Sequence, residues 1–76
     1  MAFDYSKLRG KIKEVFGTQD NFAEALGIGR VSLSQRLTNK LEFSQIEISN
    51  GAKLLGICDE QISAYFFTVR VQKHEL

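Results

Sequence analysis

The chain has 76 residues, a formal net charge of +1, one cysteine and no proline. A chain this short forms a single domain over residues 1–76, without room for a separate ligand-binding or cleavage module. One cysteine excludes an internal disulfide and a multi-cysteine zinc site, and no apolar run approaches the roughly 18 residues of a membrane span. We therefore expect no metal, cofactor, small-molecule ligand or membrane contact, and the cytoplasm is the default compartment.

Basic residues are concentrated in the first half of the chain. Residues 1–40 carry seven Lys or Arg and four acidic residues, a net charge of +3, whereas residues 41–76 carry three and five, a net charge of −2. This asymmetry favours a phosphate-facing surface in the first half, although the overall charge is low for a DNA-binding protein. The alternative is ordinary solvated helix charge, which we favour for Lys7, Lys11 and Lys13 taken alone.

Apolar periodicity and capping signals predict an all-α protein with five helices. The first helix covers about residues 5–16, with Asp4 or Ser6 as its start signal and Gly17 as its stop. Its predicted inner face comprises Leu8, Ile12, Val15 and Phe16.

The central stretch TQDNFAEALGIGRVSLSQRLTN, residues 18–39, predicts a helix-turn-helix. Thr18 caps a second helix that ends at Leu26, and residues 30–37 form a third. Gly27 tolerates the positive φ that a sharp turn between them needs. The apolar groups that join the two helices are Phe22, Ala23 and Leu26, then Ile28 beneath the turn, then Val31 or Leu33, and Leu37.

A capping box begins the fourth helix. The Ser44 hydroxyl serves the amide of Glu47, and the Glu47 carboxylate returns the bond. Gly56 stops this helix after Leu55. Gly51 lies inside it and costs about 1 kcal/mol against alanine, so either the helix is weak there or Gly51 permits a close crossing.

The last part of the chain predicts a short fifth helix and a tail. Asp59 caps the helix, which runs to about Tyr65, and Cys58 is interpreted as a small packing residue. In the tail, residues 66–72, apolar Phe67, Val69 and Val71 alternate with Thr68, Arg70 and Gln72, which is typical of a β-strand. No other segment shows a β pattern. Either two tails pair across a two-fold axis and form a dimer, or Phe66 and Phe67 cap the core and the rest frays.

Five positions resemble the lambda-repressor and Cro-like class of bacterial and phage regulators. That class has Gln at the start of the first motif helix, Ala four residues on, Gly eight on, and hydrophobic residues after the Gly and within the second helix. Here these residues are Gln19, Ala23, Gly27, Ile28 and Leu33. Leu37, Lys40 and Phe43 match the LxxKxxF segment of small phage-type Cro or repressor proteins. The resemblance implies a five-helix lambda-repressor-like domain that binds an inverted-repeat operator as a homodimer.

Four side chains of the third helix are candidates for base contacts in the major groove. Arg30 can donate two bonds to guanine, and Gln35 can pair with adenine. Ser34 can bond several bases, and Val31 can meet a thymine methyl group. By resemblance these positions match the base-reading positions of the family. The alternative for each is an ordinary solvent-facing helix surface.

Five further residues are candidates for contacts with DNA phosphates. Gln19 and the free amides at the start of the second helix form a natural anion site. Asn39 and Lys40 match, by resemblance, positions where the family meets the opposite side of the groove. Arg9 and Arg36 are further candidates; Arg36 departs from the apolar residue often found there in the family.

Catalysis is not expected, because the only histidine, His74, lies two residues from the C-terminus and no nucleophile has a nearby base. Our main hypothesis is a transcriptional regulator that binds duplex DNA in a sequence-specific manner and represses by occluding a promoter. The competing hypothesis is a protein-interaction module on the same scaffold, antitoxin-like or an anti-repressor subunit. The near-neutral charge suits that alternative, and the polar composition of the third helix argues against it.

Overall fold

The structure, a computed structural model, describes residues 2–70. This part of the chain contains five helices, α1 (Ser6–Phe16), α2 (Gln19–Leu26), α3 (Arg30–Leu37), α4 (Gln45–Leu55) and α5 (Asp59–Phe66). The predicted all-α class is confirmed, and every helix bound lies within one residue of its predicted position. Within residues 2–70, no helix is long and apolar enough to cross a membrane.

The core lies where α1 packs against α2, α4 and α5, and α2 packs against α3 and α4. Its largest fully buried side chains are Leu8, Ile12, Phe22, Leu33 and Phe66. Every helix except α4 contributes at least one of them, and α4 contributes its small residues Gly51 and Ala52. Residues 18–39 therefore contribute side chains to the core of the domain.

Gly51 allows α4 to cross α2 and α5 closely. A Cβ atom at this position would lie 3.3 Å from Cζ of Phe22 and 3.6 Å from Cζ of Phe66. The shorter distance is tighter than an ordinary van der Waals contact, so an alanine here would require the Phe22 ring to shift by a few tenths of an ångström. Of the two alternatives for Gly51, the structure has the close crossing, and α4 continues through it without a break.

Polar side chains begin α2 and α4 as predicted. The Thr18 hydroxyl oxygen accepts a hydrogen bond from the Asn21 amide at 3.1 Å. At α4, the Ser44 hydroxyl oxygen accepts from the Glu47 amide (3.1 Å), and Glu47 Oε1 accepts from the Ser44 amide (3.0 Å). These bonds satisfy amides that the first turn of a helix leaves unpaired.

Four local predictions are wrong. The cap position of α1 is occupied by Tyr5, without a side-chain capping bond, and not by Asp4 or Ser6. Val15 is 46% exposed, because Phe16 makes the inward contact at the end of α1, with its ring centroid 5.4 Å from that of Phe22. Asp59 is the first residue of α5 and not its cap; Cys58 occupies the cap position without a side-chain capping bond. Cys58 is exposed and does not pack, because the preceding Ile57 fills the core position.

The C-terminal segment (residues 68–70) pairs with the N-terminal segment (residues 2–4) of the same chain. Phe3 and Val69 form an isolated antiparallel bridge. The bonds that flank it run from the Asp4 amide to the Thr68 carbonyl (2.7 Å) and from the Arg70 amide to the Ala2 carbonyl (3.0 Å). The expectation that no other segment could pair with the tail is wrong, since three extended residues are too few to show a β pattern.

The two phenylalanines before the C-terminal segment have different surroundings. Phe66 is buried in the core at 1% exposure, whereas Phe67 is 47% exposed. Only Phe66 therefore caps the core as one alternative predicts. Within residues 66–70 the predicted strand is reduced to the single bridge; residues 71 and 72 of the predicted tail, and His74, lie outside the described residues.

Candidate nucleic-acid interface

The turn between α2 and α3 is built on the carbonyl of Ala23. Gly27 adopts the left-handed conformation, with φ of 85°, and its amide donates to that carbonyl at 2.9 Å. The Ile28 amide donates to the same oxygen at 3.0 Å, and the Ile28 side chain packs against the core. Gly29 then occupies the N-cap position of α3. The two helices and the sharp turn predicted for residues 18–39 are present.

Two leucines attach α3 to the core and thereby define its outward face. Leu33 is 0% exposed and Leu37 is 3% exposed, whereas Val31 is 65% exposed. Of the two alternatives for the first apolar contact of α3, the structure has Leu33. Val31 is consequently available on the surface, where the sequence analysis placed a contact with DNA.

The first turn of α3 is open to solvent. The Arg30 side chain is 75% exposed, and its Nη1 lies 3.4 Å from Oδ2 of Asp20, which is itself 61% exposed. Such an exposed ion pair contributes little to stability, so the guanidinium can exchange Asp20 for another partner. Ser34 is exposed one turn later, and Gln35 is half-buried. The structure thus brings Arg30, Val31 and Ser34 onto the accessible part of α3.

The last turn of α3 is joined to α4 by Arg36. Its Nε donates to Oε1 of Glu47 at 2.8 Å and its Nη2 donates to Oε2 at 3.1 Å, a two-bond geometry. Its Nη1 donates to the Ser32 carbonyl at 2.9 Å. Both side chains of the pair are 17% exposed. The predicted phosphate contact of Arg36 would have to compete with Glu47.

The carboxylate of Glu47 takes part in both the capping box and the ion pair with Arg36. The hydrogen bonds from Arg36 lower the pKa of Glu47 below its ordinary value, more than its partial burial raises it, and the Ser44 amide lowers it further. The carboxylate is therefore held in its charged form. The capping box is visible in the sequence, whereas the ion pair is not, because its members are eleven residues apart.

Asn39, another predicted phosphate contact, bonds to the N-terminal segment. Its Oδ1 accepts from the Phe3 amide at 2.8 Å, and its Nδ2 donates to the Phe3 carbonyl at 3.0 Å. Both polar groups of the side chain are thus engaged within the chain. Lys40, the next residue, is exposed. Among the predicted contacts after α3, Lys40 is the one with an accessible charged group.

A cleft of about 250 Å³ lies between α1 and the start of α2. It is lined by Arg9, Lys13, Thr18 and Gln19, together with Ile12 and Gly17. Arg9 also donates from Nη2 to the Leu37 carbonyl at 3.3 Å, so it connects the cleft with the end of α3. The predicted contacts Arg9 and Gln19 are therefore brought together beside free amides of a helix start, where an anion is stabilised.

Lys13 is a candidate that the sequence analysis interpreted as ordinary solvated charge. It lines the same cleft as Arg9 and Gln19. Arg9 and Lys13 are four residues apart, so they share one face of α1. That spacing is the signal that could have identified Lys13, and the position of the face relative to α2 is what the sequence did not reveal.

Three exposed large apolar side chains lie on α3, on the following loop and in the first turn of α4. Val31 is 65% exposed, Leu41 48% and Ile46 72%. Leu41 and Ile46 are absent from the sequence-based candidates, because an isolated apolar residue in a polar stretch carries no orientation signal. Exposed apolar groups near a polar site can contact a thymine methyl or another protein.

Comparison with known proteins identifies a family and a similar solved structure. The family described as "Protein of unknown function (DUF739)" matches residues 1–69, and the chain belongs to this family. The solution structure of the modulator of repression (MOR) of the temperate bacteriophage TP901-1 from Lactococcus lactis is similar to this chain, with a TM-score of 0.78 and 39% sequence identity. The match covers 95% of this chain and 97% of that one. No curated protein matches the chain.

Proposed function

We propose that this member of the DUF739 family is a phage-type transcriptional regulator that inserts α3 into the major groove of duplex DNA. The observation that carries the proposal is the division of α3 into two sides. Leu33 and Leu37 bury one side, and the 75% exposed Arg30 side chain lies on the other. Similarity to a phage modulator of repression supports a role in phage gene regulation.

In the proposed complex, the first half of α3 reads bases. Arg30 donates two hydrogen bonds to guanine O6 and N7, and Gln35 pairs with adenine N6 and N7. Ser34 lies one turn beyond Arg30 and bonds a neighbouring base edge, while Val31 meets a thymine methyl group. The exposure of Arg30, Val31 and Ser34 supports these assignments, and the half-buried Gln35 has to extend along the helix to take part.

Phosphates are contacted on both sides of the groove. On one side, Gln19, Arg9 and Lys13 line the cleft at the start of α2. On the other side, Lys40 follows α3. Arg36 and Asn39 already bond within the chain, so a phosphate contact by either would cost those bonds. Phosphate contacts fix the register of a protein on DNA without reading the sequence.

A homodimer on an inverted repeat completes the proposal, and repression follows from occlusion of a promoter. Residues 68–70 bond to residues 2–4 along one edge, so two copies of this segment could pair only through its opposite edge. Sedimentation of the full chain and of a chain truncated after Phe67 tests this mode of dimerisation. A dimer that survives the truncation would contradict pairing of the tails.

The first experiment is to incubate the protein with a random pool of duplex DNA at moderate salt and to sequence the retained fraction. Enrichment of an inverted repeat with half-sites one helical turn apart, about 10 base pairs, would support specific binding and dimerisation together. Retention without an enriched sequence would leave a protein that binds phosphates only. No retention, even at low salt, would contradict DNA binding.

The second candidate function is binding to another regulatory protein. The exposed Val31, Leu41 and Ile46 favour it, because apolar side chains in the centre of a surface are typical of protein interfaces. The low net charge of +1 also suits it. Under this candidate, Ile46→Lys abolishes the regulatory effect of the chain, whereas under the DNA candidate the added charge leaves DNA retention intact or improves it.

A further inference from the structure

Asn39 ends α3 with a backbone conformation that favours glycine. Its φ is 67°, and among residues 2–70 it is the only residue other than glycine with a positive φ. The other residues with a positive φ in this part of the chain are Gly17, Gly27 and Gly56, which follow the last residues of α1, α2 and α4. Asparagine tolerates this conformation better than most residues, but glycine tolerates it without steric cost.

The backbone stop itself does not require an asparagine side chain. The Asn39 amide donates to the Arg36 carbonyl (3.2 Å), and the Lys40 amide donates to the Gln35 carbonyl (2.8 Å). These two bonds form the Schellman pattern, which needs only a left-handed residue at this position. The reason for asparagine must therefore lie in what its side chain contacts.

The side chain holds the free edge of the N-terminal segment. In that segment the Asp4 amide and the Ala2 carbonyl bond to the C-terminal segment. Amides and carbonyls alternate along an extended chain, so those of Phe3 point to the opposite edge. There they meet Oδ1 and Nδ2 of Asn39 at 2.8 and 3.0 Å. Residues 2–4 are thus bonded on both edges, to residues 68–70 and to the end of α3.

We infer that Asn39 is a positioning residue: through its two bonds to Phe3 it fixes the backbone that follows α3, and with it the charged group of Lys40. The inference rests on the proposed function for the role of Lys40 and assigns Asn39 a purpose other than direct contact with phosphate. Residues 2–4, held by residues 68–70, thereby determine where the proposed DNA-binding surface meets one side of the groove. Sequence distance conceals this arrangement, because Phe3 and Asn39 are 36 residues apart.

The variant Asn39→Gly isolates the side-chain bonds, since glycine keeps the left-handed backbone and the Schellman pattern. We expect amide hydrogen exchange at Phe3 and Lys40 to accelerate about tenfold or more, with the amides of Phe22 and Leu33 unchanged. Thr38→Gly adds comparable backbone freedom one residue earlier and leaves the bonds to Phe3 in place, although it removes the hydrogen bond from the Thr38 hydroxyl to the Ser34 carbonyl. Unchanged exchange at Lys40 in Asn39→Gly, or equal acceleration at Phe3 in Thr38→Gly, would overturn the inference.

The salt dependence of DNA affinity distinguishes a positioning role of Asn39 from a merely structural one, because a merely structural role would leave this dependence unchanged. If Lys40 contacts a phosphate, Lys40→Ala lowers the slope of log affinity against log salt by about one. We expect Asn39→Gly to lower it by a similar amount and the double variant to lower it no further than Lys40→Ala alone. A weaker affinity with an unchanged slope would overturn the positioning role. Absence of DNA binding by the unmodified chain would contradict the proposed function, and the exchange experiment would still decide the role of Asn39.

Discussion

The first and last turns of α3 each contain an arginine, but the surroundings of the two arginines differ. Arg30, in the first turn, is 75% exposed and makes one ion pair at 3.4 Å with an exposed carboxylate. Arg36, in the last turn, is 17% exposed and makes two bonds to Glu47 and one to a carbonyl. The start of the helix is therefore available to a partner, whereas its end is fixed to α4 and, through Asn39, to the N-terminal segment.

This difference indicates how a small domain can expose one side of a short helix and still keep the helix folded. A helix of eight residues is too short to be stable by itself. Two leucines attach α3 to the core, and the bonds of Arg36 and Asn39 fix its end. A rigid end allows the first turn to carry solvated groups whose partners can be exchanged, which a binding site requires.

The largest effect on stability that we predict from this comparison follows Arg36→Ala. The variant removes two bonds to a mostly buried carboxylate and should lower the free energy of unfolding by about 1–2 kcal/mol. Arg30→Ala is the matched control, and we expect a change within about 0.5 kcal/mol because its ion pair is exposed. Urea denaturation of the three proteins measures both values. Equal losses would contradict the division of α3 into an open start and a fixed end.

A smaller effect should distinguish the cleft lined by Arg9, Lys13 and Gln19 from the rest of α1. Lys13→Ala should weaken DNA binding uniformly across sequences and lower the salt slope by about one, because Lys13 lines the cleft beside Gln19. Lys7→Ala is the control, since the Lys7 ammonium lies over the ring of Tyr65 on α5, 4.9 Å from its centroid. Fluorescence anisotropy at several salt concentrations gives the slopes. The cleft would lose its assigned role if both variants changed the slope equally.

The smallest effect concerns pH. Since hydrogen bonds from Arg36 hold the pKa of Glu47 below its ordinary value, the stabilisation is fully present above the unfolded-state pKa of about 4.3 and is lost as pH falls through the lower folded value. The stability difference between the unmodified chain and Arg36→Ala should therefore shrink as the pH falls below about 4.3. The pKa of Asp4, also lowered, by its hydrogen bonds from Ser6, affects both proteins alike and cancels in the difference. A difference that is constant with pH would indicate that Arg36 stabilises through packing alone.

The helices could be predicted from local signals in the sequence. Thr18, the Ser44–Glu47 capping box and the stops at Gly27 and Gly56 act within a few residues of where they stand, so their effect is visible in the sequence. Leu33 could not be chosen over Val31, because both are apolar and only the crossing of α2 and α3 decides which is buried.

The candidate site was predictable at the start of α3 and less so elsewhere. Arg30 and Ser34 are exposed as a binding surface requires. The partners of Arg36 and Asn39 could not be inferred, since Glu47 and Phe3 lie 11 and 36 residues away and meet them only after the helices pack. The pairing of residues 2–4 with residues 68–70 was concealed for the same reason.

The central claim is that the first turn of α3 reads bases. It is tested most directly by comparing the base preferences of Arg30→Ala with those of the unmodified chain. Both proteins are incubated with the same random duplex pool, and the retained sequences are compared position by position. If the open start of α3 reads bases, the unmodified chain prefers guanine at one position of each half-site, and Arg30→Ala loses that preference while keeping the others. An identical profile for the two proteins would contradict the placement of α3 in the groove.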